Sequence, residues 1–297
     1  MFEEIKTLEN ARQIEIITLG WSRDTKYYVE LADNKTAILR LASIEQYEKK
    51  KIEYETIDKF AKTGIVMSQP MEFGVCNNGA NVYMLLSWIE GTPLEEALPT
   101  MSDSVQYELG KKAGEILKKI HRIPVPPMYK PIQSKIPKKL KQLEDYCQSN
   151  IRIPGDETVI TFIKEHINDV WAVPPVYQHG DYHPGNLIFT GNGEIGVIDF
   201  NRWAIGDPYE EFYKLEIFGT EISIPYCIGQ IHGYFQGNVP IGFWRALSVY
   251  VAHASLYSIK WAMAYGEEDV KGMIRRCYRS FEHYDGFDAI VPNWYKD

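Results

Sequence analysis

Between Val176 and Glu211 the chain reads VYQHGDYHPGNLIFTGNGEIGVIDFNRWAIGDPYEE. Three oxygen-donor side chains in it, Asp181, Asn186 and Asp199, stand 5 and then 13 residues apart. Two apolar runs, 187–189 and 195–198, separate Asn186 from Asp199 and are joined by Thr-Gly-Asn-Gly-Glu. Asn-Gly between apolar runs is a strong hairpin signal. Closing that hairpin brings Asn186, at the start of one strand, near Asp199, at the end of the other. Two hard oxygen ligands then converge, as a magnesium ion held against phosphates requires. Asp181, on the preceding loop, is expected to face the same point. Phosphoryl transfer needs such parts: a carboxylate that accepts or orients an alcohol, and an Asn with an Asp to hold the metal bridging the phosphate oxygens.

Other chemistries fit the segment less well. His179, Asp181 and His183 form an H-x-D-x-H pattern of zinc-ligand types, but no supporting His/Cys cluster stands elsewhere and Asn186 and Asp199 are left unexplained. His179 reads instead as a residue that fixes the loop by a backbone hydrogen bond. Residues 191–196 formally match G-x-G-x-x-G, yet the stretch that follows, 197–200, is strand-like where a dinucleotide fingerprint needs a helix. The match is therefore the hairpin turn. No G-x-x-x-x-G-K-[ST] occurs, so a P-loop is not supported. Asp207, Pro208 and Glu210 sit as N-cap, first position and third position of a helix start.

These residues need elements to position them. Ile14, Ile16 and Thr18 alternate with polar neighbours, and residues 27–31 and 36–41 flank the turn-like Ala32-Asp33-Asn34-Lys35. Residues 44–62 have helical texture; 73–75 and 82–89 are two more strands around Asn77-Asn78-Gly79. The predicted order is strand, strand, strand, helix, strand, strand. Beyond Glu90-Gly91-Thr92-Pro93 the pattern turns helical at 103–121, 156–171 and 241–283, with a Pro-rich irregular connection from Pro124 to Pro137. The expected division is a strand-rich lobe, 1–89, and a mostly helical lobe, 90–297.

HGDYHPGN followed by IDF resembles the catalytic and metal-binding loops of the aminoglycoside phosphotransferase family, small-molecule kinases of the protein-kinase-like fold. Their signature runs HGD-x-x-x-x-N and then a hydrophobic-D-[FW] segment, and both parts match. The resemblance implies an α+β, bilobal protein-kinase-like fold. It implies Asp181 as the catalytic Asp, Asn186 and Asp199 as ligands of Mg2+, and ATP or GTP as co-substrate. It also implies a γ-phosphoryl transfer to a hydroxyl of a small molecule. Substrates of the wider family include aminoglycosides, macrolides, choline, homoserine and sugar amines, and the sequence does not choose among them. A kinase-like nucleotide-binding module without catalysis stays open as the alternative.

The same resemblance gives the first lobe the nucleotide. Arg40, in Ala37-Ile-Leu-Arg-Leu-Ala42, stands where the family usually has a Lys paired with a Glu of the next helix. Arginine donates in a fixed fork and can still bind phosphate, with different geometry. On the helix, Glu53 shares a face with Thr56, Ile57 and Phe60, whereas Glu55 shares its face with Asp58 and Lys59. The apolar face packs on the sheet, so Glu53 is the expected partner of Arg40. Ser22, in Gly20-Trp-Ser-Arg-Asp24, is a candidate phosphate contact at the turn after the first strand. Ser87 and Ile89 are candidates for backbone contact with the base, and Trp88 for packing.

Composition limits the partners. In 297 residues, 32 Lys and Arg against 40 Asp and Glu give a net charge of −8, which disfavours general nucleic-acid binding. Cys76, Cys147, Cys227 and Cys277 form no CxxC pair, which fits a reducing compartment. The polar N-terminus predicts no signal peptide and the longest uncharged run, 246–259, is too short for a bilayer, so a cytoplasmic protein without a membrane partner is expected. Acids (Glu210, Glu211, Glu216, Glu221, Glu267, Glu268, Asp269) and aromatics (Trp244, Tyr250, Tyr257, Trp261) of the second half suit a cationic acceptor through ion pairs and cation–π contacts, or equally a solvated surface over an aromatic core. Oligomeric state is left open.

Overall fold

The computed structural model describes residues 2–18, 24–127 and 134–295. Ser22 lies outside the described residues. The chain forms two compact units, Met1–Leu94 with Gly185–Asn201, and Glu95–Pro184 with Arg202–Asp297. The expected boundary stood after residue 89; packing carries the first unit to Leu94 and adds the 185–201 segment to it.

The first unit is built on a five-stranded antiparallel sheet ordered β1-β2-β3-β5-β4. The strands are β1 (Gln13–Ile17), β2 (Thr25–Glu30), β3 (Thr36–Ser43), β4 (Pro70–Cys76) and β5 (Asn81–Ser87), with helix α1 (Tyr47–Ala61) between β3 and β4. The β2–β3 hairpin turns through Asn34 in the left-handed region, and the β4–β5 hairpin through Asn77, Asn78 and Gly79, all residue types that tolerate positive φ. Strand alternation sorts β3 into two faces. Ala37, Leu39 and Leu41 join Val29, Tyr83 and Leu85 in an apolar cluster closed by Ile5 and Leu8. Arg40 falls on the other face, the one that α1 covers with Glu53, Thr56, Ile57 and Phe60 buried.

A short strand β6 (Thr92–Pro93) pairs with β8 (Leu187–Phe189), which pairs with β9 (Ile195–Val197). The last of these also bonds to the chain before β4, through Val197 N–H to Val66 C=O and Ser68 N–H to Val197 C=O. Those bonds explain why 185–201 belongs with the sheet rather than with the helices.

In the second unit the chain runs from the one-turn helix α2 (Leu94–Ala97), which straddles the boundary, into α3 (Asp103–His121), α4 (Ile136–Cys147), α5 (Asp156–His166), α6 (Ile224–Phe235), α7 (Ile241–Ala262) and α8 (Glu267–His283). A two-stranded pair, β7 (Val176–Gln178) with β10 (Ala204–Gly206), interrupts them. Helices α3 and α6 pack backbone to backbone. Gly110 and Gly114 lie against α6 carbonyls, Gly229 and Gly233 against α3 carbonyls, and a Cβ at any of the four would collide. No described helix is long and apolar enough to cross a membrane.

Candidate active site

In the first unit the β8–β9 ribbon sets the two candidate oxygen ligands. Its register is Leu187 opposite Val197, Ile188 opposite Gly196 and Phe189 opposite Ile195. Pairing extends one step further, with Ile198 N–H donating to Asn186 C=O at 3.1 Å. Asn186 and Asp199 therefore flank the same end of the ribbon, on the two strands, as the Asn-Gly signal predicts. Asp199 adopts φ 61°, a left-handed conformation just after the strand. Both residues are half-buried. The ribbon is seated by close approach: a Cβ on Gly196 would stand 2.8 Å from the Ile89 side chain, and one on Gly91 would collide with the Phe189 carbonyl.

Around Arg40 the same unit holds a buried quartet. Arg40 Nη1 lies 2.7 Å from Glu53 Oε1, while Arg40 Nε and Nη2 donate to Asp24 Oδ2 at 3.1 and 2.6 Å. Lys50 Nζ reaches Asp24 Oδ2 at 2.6 Å and Glu53 Oε2 at 3.1 Å. All four side chains are under a tenth exposed. Burial opposes the Arg40 charge, but Glu53, Asp24 and then Asp199 more than offset it and raise its pKa. Asp199 thus acts electrostatically on the arginine, which links the ribbon end to the quartet. Lys50 and Asp24 had no sequence signal that singled them out. Glu55, by contrast, is exposed.

The base-contact candidates are distinguished by their bonds. Ser87 N–H is spent on Gln69 C=O at 2.8 Å, and its hydroxyl accepts from Gln69 N–H at 2.8 Å. Trp88 packs edge-on against Tyr28, with ring centroids 5.2 Å apart.

In the second unit β7 delivers the loop 179–183. Gly180 has φ 84°, and a side chain there would collide with the Arg202 carbonyl, so only glycine fits. Three bonds fix the loop. Asp181 N–H donates to His179 Nδ1 at 3.2 Å, Gly180 N–H to Glu211 Oε1 at 2.6 Å, and the Tyr182 hydroxyl to Ala113 C=O of α3 at 2.8 Å. His179 and Tyr182 are fully buried. His179 so spends one ring nitrogen on the backbone, and among the described residues no group of three or more His, Cys, Asp or Glu could hold a metal ion.

The Asp181 carboxylate lies 2.7 Å from Lys214 Nζ, 3.5 Å from Arg202 Nε and 3.7 Å from His183 Nε2. Burial alone would raise its pKa, but Lys214, His183 and Arg202 outweigh that and hold it down at about 2. Burial pushes His183 down to about 4, leaving its ring neutral at pH 7. Lys214 precedes a π-helical stretch, Leu215–Gly219, a local widening often found at functional sites. Asp207 caps the 3-10 helix Pro208–Phe212, accepting from Tyr209 N–H, where the sequence predicts a helix start. Glu211, in that same helix, is buried, and burial pushes its pKa up to about 8.

The acids expected to greet a cation are mostly taken. Glu210 binds Lys139, Glu221 binds Arg276 and Arg279, Glu267 and Glu268 bind Lys271, and Glu216 accepts from Trp294 Nε1 and contacts His283. Trp244 packs on Tyr295, and Arg202 lies over Trp261.

Comparison with known proteins now decides the family. The model of the phosphotransferase enzyme family APH matches residues 13–246. The chain belongs to that family. No curated protein matches it. Among solved structures, the GDP and kanamycin complex of an aminoglycoside phosphotransferase, APH(2'')-IIIa, is similar at 15% identity, covering 94% of this chain and 98% of that one, with a TM-score of 0.68. A choline/ethanolamine kinase family protein from Mesorhizobium loti is similar at 17% identity, over 97% and 94% of the two chains, with a TM-score of 0.69. An amicoumacin kinase in complex with AMP-PNP and Ca2+ is similar at 15% identity, over 94% and 90%, with a TM-score of 0.66. The fold is the expected α+β, protein-kinase-like one. As a member of the APH phosphotransferases the protein is a small-molecule kinase.

Proposed function

We propose that this APH-family enzyme moves the γ-phosphoryl group of ATP or GTP to a hydroxyl of a small molecule, with Mg2+. The observation that carries the reading is that Asn186 and Asp199 flank the same end of the β8–β9 ribbon, one on each strand. An amide oxygen and a carboxylate suit Mg2+, which takes one or two protein oxygens and completes its shell with phosphates and water. When bound, the metal offsets charge on the phosphate oxygens.

Arg40, positioned by Glu53, donates to the α/β-phosphates once Asp24 yields its place. Ile89 and Ser87 border the base through their backbone, with Ile89 the better candidate because the Ser87 N–H is occupied. Asp181 accepts the hydrogen bond of the acceptor hydroxyl and aims its oxygen. With its pKa held at about 2 it is a weak base, so orientation outweighs proton abstraction before the transition state. In the transfer, the acceptor oxygen bonds to the γ-phosphorus, the bond from that phosphorus to the bridging oxygen breaks, and the hydroxyl proton passes through Asp181 to solvent.

The acceptor is a small hydroxylated compound. A similar structure holds kanamycin, an amine-bearing sugar, but the carboxylates of the second unit are mostly paired already and do not extend that charge class to this chain. The second reading, a nucleotide-binding module without catalysis, is favoured by one observation, the contact of all three Arg40 guanidinium nitrogens with Glu53 or Asp24. Calorimetric titration with nucleotide, with and without Mg2+, tests the metal pair. Asp199→Asn is expected to weaken Mg2+-dependent binding by more than about tenfold, and unchanged Mg2+ dependence rejects the assignment. Release of ADP or GDP by the intact protein separates the enzyme from the module.

A further inference from the structure

A cavity of about 190 Å3 opens in the second unit between the first turn of α4 and the middle of α7. Lys135, Lys138 and Lys139 face it, and Glu210 is the one carboxylate among the described residues that line it. That carboxylate is committed: Glu210 Oε1 lies 2.7 Å from Lys139 Nζ, and Lys139 also rests 4.8 Å over the Tyr250 ring. Lys135 Nζ stands further from Glu210, at 3.9 Å, and donates to Gln178 Oε1 at 3.0 Å. Lys138 is exposed and makes no ion pair among the described residues. Three ammonium groups against one carboxylate leave the cavity with surplus positive charge.

The cavity is tied to Asp181 by two side-chain bridges. Tyr213 lines it, and its ring lies 5.1 Å from Lys214 Nζ, which pairs with Asp181 at 2.7 Å. Tyr257 of α7 lines it too, and Trp261, one turn further along that helix, carries Arg202 over its ring at 5.8 Å. Arg202 Nε is in turn 3.5 Å from Asp181. Positive side chains thus run from the cavity, through Lys214 and Arg202, to the proposed acceptor-orienting carboxylate. The volume is below the roughly 300–1,000 Å3 of drug-sized sites, which suits a small compound.

We propose that the acceptor carries an oxyanion, a carboxylate or a phosphate ester, which docks on Lys135 and Lys138 while its hydroxyl meets Asp181. Fixed ammonium groups recognise such anions by charge-assisted hydrogen bonds, and an ammonium-bearing acceptor would meet repulsion there. This inference rests on the kinase reading, and names the acceptor's charge class.

Titration calorimetry at low salt with four matched probes, glucose 6-phosphate, gluconate, glucose and glucosamine, tests it. At least one of the two anions is expected to bind roughly tenfold tighter than glucose and glucosamine, and their ratio tells phosphate from carboxylate. The preference is expected to vanish in Lys135→Met/Lys138→Met. Lys138→Glu alone, at an exposed position, is expected to weaken it and covers the case in which the double variant does not fold. Tightest binding of glucosamine, equal or absent binding of all four probes, or a preference that survives both variants overturns the proposal. Magnesium-ATP titrated into the same wild-type protein reports on the kinase reading separately: loss of nucleotide binding with the anion preference intact sinks that reading, while nucleotide binding without the preference sinks only this one.

Discussion

Asp24 holds Arg40 by a two-point grip, with one carboxylate oxygen accepting from both Nε and Nη2. The same oxygen takes Lys50 Nζ. On the proposed function, an anion in this position competes with a nucleotide phosphate for the Arg40 donors. Asp24→Asn removes the competing charge and leaves an amide oxygen of similar size. Magnesium-ATP is expected to bind about three- to tenfold tighter to this variant by calorimetry. Weaker binding would mean that Asp24 positions the arginine for phosphate instead of competing with it.

Lys214 sets the ionisation of Asp181, and this makes the pH profile of turnover a probe of the pair. In the wild-type protein Asp181 stays ionised down to about pH 2, so it contributes no acid limb near neutrality. Lys214→Met removes the main counter-charge, and the burial that remains pushes the carboxyl up. An acid limb is expected to enter the rate profile between about pH 4 and 6, alongside a lower plateau. Asp181→Asn, by contrast, is expected to cut turnover by about 10²–10⁴ with nucleotide affinity nearly unchanged. A flat profile in Lys214→Met would remove the lysine from its electrostatic role.

What could be read from the sequence was local. Asn186 and Asp199 could be placed at one ribbon end because an Asn-Gly between two apolar runs signals a hairpin, and Glu53 could be told from Glu55 by the period of one helix. Lys214 and Glu211 could not, because their partners Asp181 and Gly180 stand more than thirty residues away and no spacing rule connects them. Pro137 read as part of an irregular connection, yet it lies in the first turn of α4, where its missing N–H is no loss. The sequence pattern marks no helix at α6, where Gly229 and Gly233 look like breakers; their role, contact with the α3 backbone, exists only in three dimensions. The continuous helical pattern over 241–283 hid the break between α7 and α8, where Gly266 takes φ 134°.

Gly180 tests how closely the loop is held. Its φ of 84° and the Arg202 carbonyl together exclude a side chain. Gly180→Ala must move the carbonyl or the loop that carries Asp181. A stability loss of about 1–3 kcal/mol is expected in denaturant melts, with turnover falling further than stability predicts because the carboxylate is displaced. A variant with wild-type melting and activity would show that the loop tolerates a shift there.

Glu211 makes stability depend on pH in a direction that can be worked out. Burial raises its folded pKa to about 8, while the unfolded carboxyl titrates near its ordinary 4.5. Between these values the folded protein holds a proton that the unfolded chain has released. Stability from this group is therefore full below about pH 4.5 and declines as pH rises to about 8, then levels off. Glu211→Gln cannot titrate and keeps an oxygen to accept from Gly180 N–H. Its melting temperature is expected to fall less than that of the wild type between pH 5 and 8, and the two curves, measured by calorimetry in matched buffers, should diverge most at the alkaline end. Parallel curves would mean that the buried carboxyl is charged throughout and that the bond to Gly180 is a carboxylate's.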